Sequence, residues 1–138
     1  MSIGNVKMTH SNEYFMELAI DQASIAQTNG EVPVGAIFVD NNEVIAASGN
    51  APIALNDPTA HAEIMVIRKA AKLKNNYRLG GSIFVTLEPC AMCVGAMIHA
   101  RIERLIIGAS DDNVGAVFSI YKLAQSPHEN HRIEVTKG

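Results

Sequence analysis

Three short apolar runs constrain the fold of this chain most: residues 34–39, 82–87 and 104–109. Each is rich in β-branched side chains and bounded by turn-forming residues, so each reads as a buried strand. Between them the pattern changes period. Residues 11–28 place Phe15, Leu18, Ala19, Gln22, Ile25 and Ala26 on one helical face. Ser11 or Asn12 caps that helix, and Asn29-Gly30 stops it. Asp40-Asn41-Asn42 turns the first strand back into a second at residues 43–48. A loop with Pro52 and Pro58 follows over 49–59. Thr59 then caps a helix over 59–74, with Ala62, Met65, Val66, Ala70 and Leu73 as its apolar stripe. Gly80-Gly81 breaks the chain before the strand at 82–87, and a third helix is predicted over 91–100. Beyond Asp111-Asp112-Asn113 the pattern gives a helix at 118–125 and a short strand at 132–135. Strands alternating with helices specify an α/β sandwich with parallel pairing in its later half.

At 138 residues the chain is expected to form one domain, 1–138, with residues 1–11 as a loose N-terminal extension. Its 48% hydrophobic content and net charge of −3 exclude a disordered chain. Charged residues make up only 18% of it, against about 25% in a typical domain. Part of the surface is therefore expected to be covered by a second subunit. No window approaches the roughly 20 apolar residues of a membrane helix. The polar start lacks an apolar signal core, so a cytoplasmic location is expected. A pI near 5.9 gives no support for nucleic-acid binding.

Two segments carry candidate chemistry. His61-Ala62-Glu63 opens the second helix, and Pro89-Cys90-Ala91-Met92-Cys93 opens the third. Cysteines three apart on a first helical turn point the same way, and the helix dipole favours their thiolates. Zinc accepts sulfur and imidazole together, and His61, Cys90 and Cys93 make three ligands, the number typical of a catalytic rather than a structural site. Glu63 is then placed to move protons between metal-bound water and a substrate. Plainer readings exist for each part. A Cys-x-x-Cys pair alone equally suits a redox dithiol or half a structural zinc site, with His10, His99, His128 and His131 available as a fourth ligand. A lone His or Glu at a helix start is ordinarily a surface or dipole-complementing residue. Together, however, His-x-Glu and Pro-Cys-x-x-Cys form the signature of zinc nucleobase deaminases.

The chain resembles the cytidine deaminase-like superfamily, and within it the bacterial tRNA-specific adenosine deaminases. The resemblance spans residues 13–136. It rests on Glu31-Val32-Pro33-Val34-Gly35-Ala36, on Asn56-Asp57-Pro58-Thr59-Ala60-His61-Ala62-Glu63-Ile64, and above all on Thr86-Leu87-Glu88-Pro89-Cys90-Ala91-Met92-Cys93 and the run that follows to Ile102. Tyr77-Arg78-Leu79 and Asn130-His131-Arg132 are similar too. The resemblance implies a three-layer α-β-α sandwich around a five-stranded mixed sheet. It implies one zinc ion per subunit on His61, Cys90 and Cys93, attack of zinc-activated water on C6 of adenine, and Glu63 as the proton shuttle. The product would be inosine at the wobble position of a tRNA anticodon, with release of ammonia. Asn50 would contact the target nucleoside, and the backbone N–H of Ala62 would help hold the base. The family works as a homodimer with RNA crossing the subunit boundary. Its usual further C-terminal helix is not expected here, since the chain stops at Gly138. The alternative on the same scaffold is a deaminase of free guanine or cytosine. Candidate RNA contacts are Lys69, Lys72, Lys74 and Arg78, with Arg101 and Arg104, although a solvated helix face is the favoured account of the lysines. Met65, Met92 and Met97 are expected in the core.

Overall fold

Asn41 and Asn42 both adopt left-handed backbone, with φ of 55° and 62°. A two-residue hairpin needs this at both central positions, and asparagine tolerates it. The turn joins β1 (Gly35–Asp40) to β2 (Glu43–Gly49), and Asp40 pairs with Glu43 across it. The computed structural model describes residues 10–117 and 131–137. Within them, α1 (Asn12–Thr28) precedes the hairpin; α2 (Pro52–Leu55), α3 (Ala62–Lys74), β3 (Ser82–Leu87), α4 (Ala91–His99), β4 (Arg104–Ala109) and β5 (Glu134–Lys137) follow it. The sheet order is β2-β1-β3-β4-β5. β1 runs antiparallel to both neighbours, whereas β3, β4 and β5 are parallel. This is the mixed five-stranded sheet expected, with its parallel part in the later half.

Both faces of the sheet are buried, and side chains alternate between them. Phe38, Ile83, Val85, Leu105 and Ile107 face one way and pack with Val66 and Ala70 of α3 and with Val94 and Met97 of α4. Ile37, Val39, Phe84 and Ile106 face the other way and pack on Phe15 and Ala19 of α1. The two metal-motif helices therefore share one layer, and α1 forms the other.

α1 lies unusually close to the sheet. Gly35 and Gly49 sit opposite each other across β1 and β2. A Cβ on Gly35 would fall 2.0 Å from the Ala19 carbonyl oxygen, and one on Gly49 would fall 2.6 Å from that of Gln22. This notch selects small contact residues, so Ala19, Ala23 and Ala26 are the buried ones. Ile25, expected on the apolar face, is 53% exposed. Leu73 likewise leaves the predicted α3 stripe and is 70% exposed, in an open hollow beside Ile45, Ala46 and Ala47 of the edge strand. Of the three methionines expected in the core, Met97 is fully buried and Met92 is exposed.

Other boundaries differ for identifiable reasons. α3 starts at Ala62 rather than at Thr59. The Thr59 hydroxyl and N–H both donate to Asp57 Oδ1, at 2.7 and 2.9 Å, which commits Thr59 to a turn instead of a cap. The 49–59 loop contains the single-turn helix α2, whose first amides donate to the distant carboxylate of Glu31. The last strand is displaced to Glu134–Lys137. The helix predicted at 118–125 and most of the expected N-terminal extension lie outside the described residues. His10 at that extension's end stacks on Tyr14, with ring centroids 4.1 Å apart.

The glycine notch is testable. Gly35→Ala should lower stability in urea unfolding by about 1–3 kcal/mol or more, because backbone must move to admit the methyl. Gly95→Ala is the contrasting case. Its added Cβ meets nothing within 4 Å, so it should stabilise α4 by roughly 0.5–1 kcal/mol.

Candidate metal centre and active site

His61 and Cys90 are the N-cap residues of α3 and α4, and neither side chain caps its own helix. Both are in extended backbone, which turns the side chains away from their helices. Cys93 follows on the first turn of α4 and is fully buried. Because α3 and α4 lie in the same layer, the three donors converge. Cys90 Sγ and Cys93 Sγ are 3.7 Å apart, and they lie 3.6 and 3.5 Å from His61 Nδ1. A zinc tetrahedron with Zn–S of about 2.3 Å and Zn–N of about 2.05 Å has S···S edges of about 3.8 Å and S···N edges of about 3.55 Å. The three donors thus outline one face of such a tetrahedron, and the residues fit the ion.

No fourth protein ligand joins them among the described residues. Two of the histidines considered as a fourth ligand are engaged elsewhere: His131 Nε2 lies 2.6 Å from the Ile102 carbonyl oxygen, and His10 stacks on Tyr14. His99 is exposed at the far end of α4, and His128 lies outside the described residues. The thiols also show the electrostatics of a ligand pair. The contact between the two sulfurs holds the Cys90 thiol down to about 5 and, together with burial, pushes that of Cys93 up. Thiolate is the form that ligates a divalent cation, so metal binding here releases thiol protons.

Glu63 stands on the second residue of α3, only 3% exposed. Burial pushes its carboxyl up to about 7. It shares a cavity of about 250 Å³ with His61, Cys90, Asn50, Val34 and Leu87. Carbon-lined walls surround a few convergent polar groups there, as in a small-molecule site. A larger hollow of about 700 Å³ opens among Asp40, Glu103, Arg104 and Arg132, but it holds none of the clustered donors.

The two residues expected to bind substrate meet each other. Ala62 N–H, expected at the base, donates to Asn50 Oδ1 at 2.8 Å. Asn50 therefore caps α3 in place of His61, which leaves the imidazole to the metal.

Two buried carboxylates that were visible in the sequence only as parts of longer stretches shape the cavity. Glu31 accepts from Ile53 N at 3.1 Å and Ala54 N at 2.8 Å, anchoring α2 beside Asn50. Glu88 accepts from Asp111 N and Val117 N, both at 3.0 Å, and fixes the loop after β4. A methyl on Gly115 in that loop would lie 2.4 Å from the Glu88 carboxyl carbon. The available signal was a glutamate wedged between apolar residues and proline, as in Glu31-Val32-Pro33 and Leu87-Glu88-Pro89.

Residues 9–109 match the cytidine and deoxycytidylate deaminase zinc-binding region. The chain belongs to this deaminase family. His61, Cys90 and Cys93 are its zinc triad. A tRNA-specific adenosine deaminase of Haemophilus influenzae is 46% identical over 129 residues, covering 92% of this chain and 75% of the relative. A structure solved in a study of A-to-I editing by tRNA:A34 deaminases at the wobble position of transfer RNA superposes with a TM-score of 0.88. It is 47% identical, over 91% of this chain and 98% of that one. Guanine deaminase of Bacillus subtilis gives 0.73 at 33% identity, over 91% and 83%. In this deaminase no helix among the described residues is long and apolar enough to cross a membrane.

Two measurements test the site. Cys90→Ala should reduce bound zinc from one ion per chain to nearly none by elemental analysis and lower the thermal midpoint, since the ion ties two helix starts together. The second concerns the turn before His61. The Thr59 hydroxyl and N–H, with help from Arg68, hold the Asp57 carboxyl below its ordinary value. Its stabilising contribution is therefore complete above the ordinary carboxylate range and fades as pH falls through the depressed value. The thermal-midpoint gap between the native chain and Asp57→Asn should be constant at higher pH and close in acid.

Proposed function

We propose that this deaminase converts the wobble adenosine of a tRNA anticodon to inosine with release of ammonia. The observation that carries the reading is the 0.88 superposition at 47% identity on the structure from the tRNA:A34 deaminase study, against 0.73 and 33% for guanine deaminase. The site supplies the chemistry. Zinc, when bound on His61, Cys90 and Cys93, supplies the Lewis acidity that lets water ionise near neutral pH. Glu63 is the proton shuttle: its carboxylate takes a proton from the attacking water and gives it to N1 of adenine as the water oxygen bonds to C6, then carries the remaining proton of that oxygen to the amine as the C6–N bond breaks. Its raised pKa suits a group that must both take and give a proton near neutrality. Asn50 contacts the purine through its amide nitrogen, and Ala62 N–H holds that amide in orientation. Val34 and Leu87 supply apolar cavity wall.

The enzyme is proposed to act as a cytoplasmic homodimer, with RNA crossing the subunit boundary. Exposed apolar side chains near the cavity support this: Ile53 and Leu55 on α2 and Val114 on the loop after β4. The second reading, a deaminase of free guanine or cytosine, is favoured by the Bacillus subtilis likeness.

The deciding experiment compares ammonia release from an anticodon stem-loop with release from guanine, cytosine and adenosine. Inosine in the stem-loop, with the free compounds inert, is the expected result; turnover of a free base with an inert stem-loop would reject it. Glu63→Gln should retain zinc and lose at least about 10²-fold in turnover. Loss of zinc, or an unchanged rate, contradicts the shuttle role.

A further inference from the structure

Charge is divided between the two helical layers. Between Ile64 and Leu87 the chain carries Arg68, Lys69, Lys72, Lys74 and Arg78 and no aspartate or glutamate. α1, across the sheet, carries Glu13, Glu17 and Asp21 and no lysine or arginine. The layer that holds the metal centre is thus cationic in a chain whose net charge is −3.

The cations are not all neutralised within the fold. Arg68 pairs with Asp57 at 3.2 Å and Lys74 with Asp40 at 2.6 Å. Lys69 Nζ donates to the Ala47 carbonyl at 3.0 Å. Lys72 and Arg78 have no acidic partner among the described residues. Arg68, Lys72, Asn75, Asn76 and Tyr77 line an open hollow of about 570 Å³. The Tyr77 ring is 73% exposed, and the Arg78 guanidinium sits 5.7 Å from its centroid. Unpaired cations beside an exposed aromatic ring are the chemistry that holds single-stranded RNA, through phosphates and base stacking.

We infer that this hollow receives a stretch of the tRNA backbone flanking the target nucleotide. The inference rests on the tRNA reading above and adds the surface that holds the rest of the substrate. Helical rise places Arg68 and Lys72 roughly 10–17 Å along α3 from His61. That is too far to touch the reacting base and within reach of nucleotides further along the strand. A second copy of the chain would have to bring acidic residues to this patch, since a two-fold axis through the patch itself would set cation against cation.

The test uses the zinc-loaded protein and a fluorescein-labelled anticodon stem-loop containing the wobble adenosine. Binding is followed by anisotropy across a salt series, and inosine formation in parallel. Lys72→Glu with Arg78→Glu should weaken binding at least tenfold at low salt. The slope of log affinity against log salt should become shallower by about 1.4–1.8 for two lost phosphate contacts, with kcat at saturating stem-loop unchanged. Tyr77→Ala should weaken binding several-fold with the slope retained. Unchanged affinity and slope in the double variant, alongside normal editing by the native chain, overturns the inference and leaves the function standing. A native chain that neither binds nor edits the stem-loop rejects both. A changed oligomeric state with an unaltered salt slope assigns the patch to a second copy and overturns the inference.

Discussion

The site depends on two helices starting at the same place. α3 and α4 lie side by side on one face of the sheet, and their N-caps, His61 and Cys90, bring three donors within 3.5–3.7 Å of one another. Two sulfurs and an imidazole at this spacing are a donor set that zinc accepts. A helix start suits the purpose, since its free amides and dipole favour thiolate. It also carries a steric consequence. A ligand occupying an N-cap cannot satisfy the first amides of its own helix, so another group has to. At α3 that group is Asn50, through the Ala62 N–H.

The same logic governs the cavity walls. α2 is one turn long and cannot hold itself in place by propensity. Glu31 holds it, reaching across more than twenty residues of sequence to two backbone amides. Glu88 does the same for the loop after β4. Both carboxylates are nearly fully buried, and both are satisfied by backbone donors, which is the condition under which burial of a charge is tolerated. Glu63, the proposed proton shuttle, follows different rules. Glu63 is equally buried, and that burial raises its carboxyl to about 7, so it keeps its proton up to near neutrality. Three buried glutamates thus divide into two whose oxygens accept backbone amides and one whose carboxyl is raised toward neutrality.

Much of this was legible from residues alone. The strands at 82–87 and 104–109 and the α4 start follow from apolar runs bounded by glycine and proline, where local signals agree. The errors have a common origin in contacts between distant segments. Thr59 is a good cap by composition, but Asp57 takes its hydroxyl. Ile25 fits the helical stripe, but the Gly35–Gly49 notch admits only small residues beneath α1. The short helix α2 was invisible because its stabilising partner, Glu31, lies before the hairpin. Glu31 and Glu88 stand beside apolar residues and proline, which hints at burial, but the backbone amides they accept lie more than twenty residues away.

Residue identity and spacing by themselves determined the alternating α/β order, the ligand types and the carboxylate two positions beyond the histidine. These follow from local rules: side-chain period, turn chemistry and the coordination preferences of a divalent ion. Only the tertiary structure decided that the three ligands meet at tetrahedral spacing, that Ala62 N–H is engaged by Asn50, and that the cations of residues 68–78 share the layer of the metal centre. Those outcomes depend on which sheet face each helix covers and on how closely it approaches, and backbone packing sets both.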